Sequence, residues 1–147
     1  MELHYKIYRK VKIYFNKVHG ALPHLETLKE RPNLSFGTDM IVSRIDEMEL
    51  MQTQLVSFFL DPTLKIPYVP SSRCLALTNW YDNNTLVSCG NFNSFRRELQ
   101  IEDERVLQES GYIIADSLLP SKLKTVFEKH RNRLKKLRLT KESLTEF

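Results

Sequence analysis

Glycine is scarce in this sequence: four in 147 residues, Gly20, Gly37, Gly90 and Gly111, each isolated from the others. Backbone loops that cradle phosphates need clustered glycines, so neither a phosphate-binding loop nor a dinucleotide fingerprint is built from local sequence. Cysteine is rarer still. Cys74 and Cys89 lack the close pairing of a zinc knuckle, and no His-Glu-x-x-His motif occurs among the four histidines, with His19 and His24 five residues apart. No serine sits in a nucleophile elbow. Long apolar runs are also missing: stretches such as VSFFL and YII fall far short of the roughly 20 residues that a membrane span requires. The opening residues MELHYKIYRKVKIYF carry a charge every two or three positions, which breaks any signal-peptide core. These absences predict an intracellular protein with free thiols, no cofactor, no metal and no membrane partner. They weigh against the commoner enzyme classes, leaving a dispersed active site as the remaining catalytic reading.

What is present is ordinary for ordered protein: 41% apolar and 27% charged residues, with six tyrosines and eight phenylalanines. The length suits a single compact domain over residues 1–147, stable without disulfides or a structural metal. The charge, however, is unevenly laid out. Residues 1–20 carry five Lys or Arg against one acid, residues 121–147 nine against three, and the hundred between them eight against fourteen. Basic ends around an acidic middle either attract each other within the fold or form one surface for a polyanion or an acidic protein.

The periodicity predicts an α+β fold, dominated by helices, with a small antiparallel sheet or hairpin. In residues 3–15, Leu3, Tyr5, Ile7, Val11, Ile13 and Phe15 alternate with polar residues, a strand pattern interrupted at Arg9. A helical reading through Leu3, Ile7, Val11, Tyr14 and Val18 comes second, because it strands Tyr5 and Ile13 on the wrong side. His19-Gly20 and Pro23 interrupt the pattern, and a short helix fits Leu25 to Arg31. Thr38 or Asp39 then opens a helix to about Leu60, with Ile41, Ile45, Met48, Met51 or Gln52, Leu55 and Phe58 or Phe59 on its buried stripe and Asp46, Glu47 and Glu49 largely off it. Arg73 to Tyr81 and Thr85 to Asn91 resemble two short strands around the turn-forming Asp82-Asn83-Asn84. A further helix starts at Ser94 and ends at Gly111.

The last element is a basic amphipathic helix over about residues 120–139. Leu119, Leu123, Val126, Phe127, Leu134 and Leu137 make its apolar face, and His130 lies on the same line as a core histidine. Lys122, Lys124, Lys129, Arg131, Arg133, Lys135, Lys136 and Arg138 surround that face, a density of like charge that an anion or an acidic surface would relieve. Arg96 and Arg97, beside Phe92 and Phe95, add a second cluster of cations and aromatics, as a base-stacking surface or as the start of an amphipathic helix. The candidate contacts for a polyanion or an acidic partner are therefore Lys124, Lys129, Arg131, Arg133, Lys135, Lys136, Arg138, Arg96 and Arg97. The leading expectation is a noncatalytic interaction or assembly subunit that binds another protein or its own copy. The alternative is a basic DNA- or RNA-binding protein contacting phosphates through the C-terminal helix.

Overall fold

Ile7, Val11, Tyr14, Val18, Ala21, Leu25 and Leu28 recur at steps of three and four and are all buried. They form the inner stripe of one long helix, α1 (Tyr5–Lys29), in the computed structural model, which describes residues 2–144 and the side chains of residues 2–138. The His4 side chain accepts from the Lys6 backbone N–H at 3.1 Å and caps its start. The helix passes through Gly20 and Pro23 without a break. Pro23 is exposed and lacks an N–H, a cost of about 3 kcal/mol that the burial of Val18, Ala21, Leu25 and Leu28 on either side offsets.

This corrects the strand expected over residues 3–15. A strand would place Arg9 on the apolar side, whereas the helix turns Lys6, Arg9 and Lys10 outward and leaves only Tyr5 exposed and Ile13 half-buried. The stripe also continues at the same period past residue 15, into the region where a separate short helix was expected.

A 3-10 turn over Pro32–Gly37 leads into α2 (Thr38–Phe59), whose buried residues include Ile41, Ile45, Met48 and Leu55, as the apolar spacing predicts, Met51 and Phe58 from the two pairs it leaves open, and Glu47, against the expectation that it lies largely off the stripe. The connection from residue 60 to residue 83 contains a second 3-10 turn, Ser71–Cys74, and delivers Trp80 and Tyr81 into the core. No hairpin forms there. Asn83 accepts from the Thr85 N–H at 2.9 Å and so caps a four-residue helix, α3 (Asn84–Val87), instead of turning between strands. Among the described residues the α+β expectation is therefore overturned: there is no strand or sheet, only an isolated bridge between Glu2 and Lys65, and the architecture is all-helical.

Asn91 caps α4 (Phe92–Ile114) by accepting from the Ser94 N–H at 2.8 Å. Gly111 does not end this helix. It lies within α4, where an added Cβ would stand 3.3 Å from the Arg131 guanidinium, so its lack of a side chain leaves room for that arginine. The final helix, α5 (Ser121–Leu144), buries Leu123, Phe127, His130 and Leu134. It packs on α2 and α4, while α1 lies along α2 and also touches α4. One core joins these four long helices.

Candidate functional site

The buried charged side chains and the buried imidazole belong to two polar networks. In the first, His130 of α5 and Glu47 of α2 meet with Nδ1 and Oε2 2.6 Å apart, and the His130 Nε2 lies 2.7 Å from the Tyr14 hydroxyl of α1. Arg133, one turn along α5, donates through Nε to Glu47 Oε1 at 2.7 Å and through a terminal nitrogen to Oε2 at 3.1 Å. With Nδ1 donating to the carboxylate, Nε2 accepts the Tyr14 proton. Burial first, and then the nearby carboxylates Glu109 and Glu47, push the Tyr14 hydroxyl well above its usual range despite its hydrogen bond to Ser110, so it keeps that proton. A carboxylate, an imidazole and a hydroxyl in sequence resemble a nucleophile-activating relay. Here, however, all three are buried and their polar atoms are turned on one another. The arrangement ties three helices together.

In the second network, Arg44 of α2 pairs with Asp103 of α4: Nε donates to Oδ1 at 3.3 Å and a terminal nitrogen to Oδ2 at 2.7 Å. Both side chains are buried. The Tyr81 hydroxyl donates to the same Oδ1 at 2.6 Å, and its backbone N–H donates to Glu102 Oε1 at 2.8 Å. These bonds hold Tyr81 at φ 63°, a left-handed conformation that a bulky residue adopts only under such constraint. Beside it, Trp80 donates from Nε1 to Glu109 Oε2 at 2.7 Å, and Lys17 donates to the other oxygen of the same carboxylate at 2.6 Å.

The predicted cations of α5 divide into two groups. Arg131 donates through Nε to the Leu107 carbonyl at 3.2 Å and to Ser110 Oγ at 3.1 Å, Arg133 binds Glu47, and Arg138 binds Glu104 at 2.9 Å. Lys122, at the start of the helix, reaches Asp61 at 3.4 Å. These side chains fasten α5 to the acidic middle of the chain. Lys124, Lys129, Lys135 and Lys136 are exposed. Arg97 is exposed and Arg96 half-buried, but Phe95 is buried and Phe92 packs against the core, so these rings present no stacking face.

Cys74 and Cys89 are buried free thiols. Among the described residues, no group of three or more His, Cys, Asp or Glu side chains is placed to hold a metal ion, and no helix is long and apolar enough to cross a membrane.

A different surface is marked by exposed apolar side chains. Of the thirteen exposed large hydrophobic side chains among the described residues, eight lie on segments tied to the N-terminal half of α1. Tyr5 is on α1 itself, and Leu60 follows Phe59, whose ring meets Tyr8 edge-on at 5.6 Å. Ile66 and Tyr68 follow Lys65, whose carbonyl accepts from the Leu3 N–H at 3.0 Å. Leu75 and Leu77 line a hollow of about 370 Å³ with Arg9, Ile13, Lys17, Ser72 and Arg73. Tyr112 lines a second, of about 270 Å³, with Lys10, Ile13, Tyr14, Lys17, Glu109 and Ile113, and Leu118 lies two residues beyond Asp116, the partner of Lys10 at 2.6 Å. No sequence pattern singled out this surface, because the segment supplying most of it, residues 60–77, is irregular and has no period. Comparison with protein-family models, with curated proteins and with solved structures finds no match.

Proposed function

We propose that this chain is a noncatalytic interaction subunit that binds another protein through the surface around the N-terminal half of α1. One observation carries this reading. The four most exposed large apolar side chains among the described residues, Leu77 at 92%, Tyr68 at 90%, Leu60 at 76% and Tyr112 at 67%, all lie on segments that adjoin the N-terminal half of α1. Scattered exposed apolar residues are normal, but a concentration of them rimmed by charge is the usual mark of a protein contact. The internal pairing of the groups best suited to catalysis, Glu47, His130, Asp103 and Arg44, supports the same reading, since each is buried and committed to a structural partner. The anchoring of Arg131, Arg133 and Arg138 to the chain itself weighs against α5 as a phosphate-binding surface.

The test is affinity capture from the native host with wild type and with a variant carrying Leu60→Ser, Tyr68→Ser and Leu77→Ser, after nuclease treatment. Loss of a specific co-purifying protein in the still-folded variant is the expected result. Equal capture by both, or a partner that nuclease removes, overturns the reading.

A further inference from the structure

Two hollows on the outer side of α1 share Ile13 and Lys17 in their linings, so they adjoin at these two side chains as a trough in two parts. Ile13, Tyr112 and Ile113 give one part apolar lining, and Ile13, Leu75 and Leu77 the other. Its charge is one-sided. Lys10 and Lys17 are neutralised by Asp116 and Glu109. Arg9 and Arg73 are not: among the described residues neither has a carboxylate within 4.0 Å, and the same holds for Lys6 one turn back along α1 and for Lys65 on the neighbouring segment. Arg9 also donates through Nε to the Arg73 carbonyl at 2.9 Å, which brings two cationic residues next to each other in the lining of the trough. Like charges so placed raise the local potential, and an anionic partner lowers it.

We infer that this trough docks an acidic amphipathic segment of a partner protein, with two apolar side chains one helical turn apart seated in the two hollows and carboxylates facing Arg9 and Arg73. Helical segments recognised in grooves use this spacing of anchors. The hollows are each large enough for one leucine- or phenylalanine-sized side chain, and the surplus of positive charge selects the acidic form of such a segment over a basic one. The inference rests on the interaction-subunit reading and adds the site and the chemistry of the partner.

The experiment is selection of a random-peptide display library on the full chain, followed by anisotropy titrations of the enriched peptides at low and physiological salt. Three proteins are titrated: wild type, Arg73→Glu with Leu77→Ser, and a control with Val42→Ser and Leu50→Ser on exposed positions of α2. Neither side chain changed in the trough variant is buried, and circular dichroism verifies that all three are folded. Peptides rich in Asp and Glu, with two large apolar residues three or four apart, are expected. Their affinity falls about tenfold or more in the trough variant, weakens with salt, and is unchanged in the control. Enriched peptides that bind the trough variant as well as wild type overturn the docking site but leave the interaction reading standing, as does loss in the α2 control alone. Enrichment of basic peptides overturns the partner chemistry. No enrichment at all, or binding of a labelled single-stranded RNA in its place, overturns both.

Discussion

His130 and Glu47, on α5 and α2, are joined through Nδ1 and Oε2 at 2.6 Å inside the core, and the same carboxylate accepts two bonds from Arg133. Removing the carboxylate leaves an imidazole and part of a guanidinium buried without their acceptor. Glu47→Ala should therefore destabilise the fold by about 3–5 kcal/mol, read as a lower midpoint in urea denaturation. A change below about 1 kcal/mol would mean that these bonds do not hold α5 to α2.

The Arg44–Asp103 pair makes a prediction of non-additivity. Each partner is buried, so Arg44→Leu or Asp103→Leu alone strands a charge and should cost about 3–5 kcal/mol. Replacing both removes the stranded charge, and the double variant should be more stable than the sum of the single effects by about 2 kcal/mol or more. Adding Tyr81→Phe removes the hydroxyl that would otherwise lose its Asp103 acceptor and should recover about 1 kcal/mol further. Strict additivity in the cycle would show the pair to be uncoupled.

Both networks explain why part of this fold was legible in sequence and part was not. The stripes of α2 and α5 follow a single period without a competing pattern, and Ile41, Ile45, Met48 and Leu55 of α2 and Leu123, Phe127 and Leu134 of α5 are buried as the spacing names them, whereas Glu47, expected largely off the stripe, is buried all the same. In α1, period-two alternation over residues 3–15 competed with the helical period, and only the continuation through Val18, Ala21, Leu25 and Leu28 separates them. Pro23 and Gly20 argued for a break that tertiary burial overrides. Arg44 stands between Ile41, Ile45 and Met48 on the apolar stripe, a position that could have signalled its burial, although the stripe expected from sequence omits it. Its partner Asp103 sits in an acidic run that reads as solvated, and pairings across 59 residues have no local signature. For the same reason the density of cations on α5 looked like an external site, although Arg131, Arg133 and Arg138 are answered by acceptors on α4 and α2.

Tyr14 and Tyr81 should show in alkaline titration. Burial is the first cause that raises both hydroxyls well above the usual 10.0, and Asp103 adds to it for Tyr81. An acid whose folded pKa is raised ionises more readily in the unfolded chain. Its contribution to stability is complete below pH 10 and is lost as the pH rises above that value. In a stepwise alkaline titration, the phenolate absorbance of these two residues should rise together with loss of helical circular dichroism. Tyr14→Phe and Tyr81→Phe should each reduce that coupled step, and a smooth phenolate rise in a chain that stays helical would contradict the burial argument.

At the acid end the sign reverses. The hydrogen bond from Lys10, together with the Leu118 N–H, lowers the Asp116 carboxyl below its usual 3.8. Its stabilising contribution is present above that value and is lost as the pH falls through the lowered one. Asp116→Asn keeps an acceptor for Leu118 but loses the charge that Lys10 engages. The variant should be less stable than wild type at neutral pH, and the gap should close below about pH 4. Urea midpoints collected across that range check it: a gap that stays constant with pH would assign the effect to packing alone.

Gly37 and Gly90 provide a paired test of how tightly the chain closes on α4. A Cβ at Gly37 would stand 2.6 Å from the Phe95 ring, whereas one at Gly90 would meet nothing within 4 Å. Neither glycine has a positive φ, so strain in the backbone does not enter and the difference between the two sites is one of space. Phe95 is fully buried, with Phe36 edge-on to it at 5.9 Å, so its ring can yield only by displacing other core groups. Gly37→Ala should thus cost about 1–3 kcal/mol by overpacking. Gly90→Ala should change stability by no more than about 0.5 kcal/mol, or raise it slightly through a less flexible unfolded chain. Thermal melts of the two variants beside wild type decide the matter. Equal melting temperatures would mean that the start of α2 does not press on Phe95.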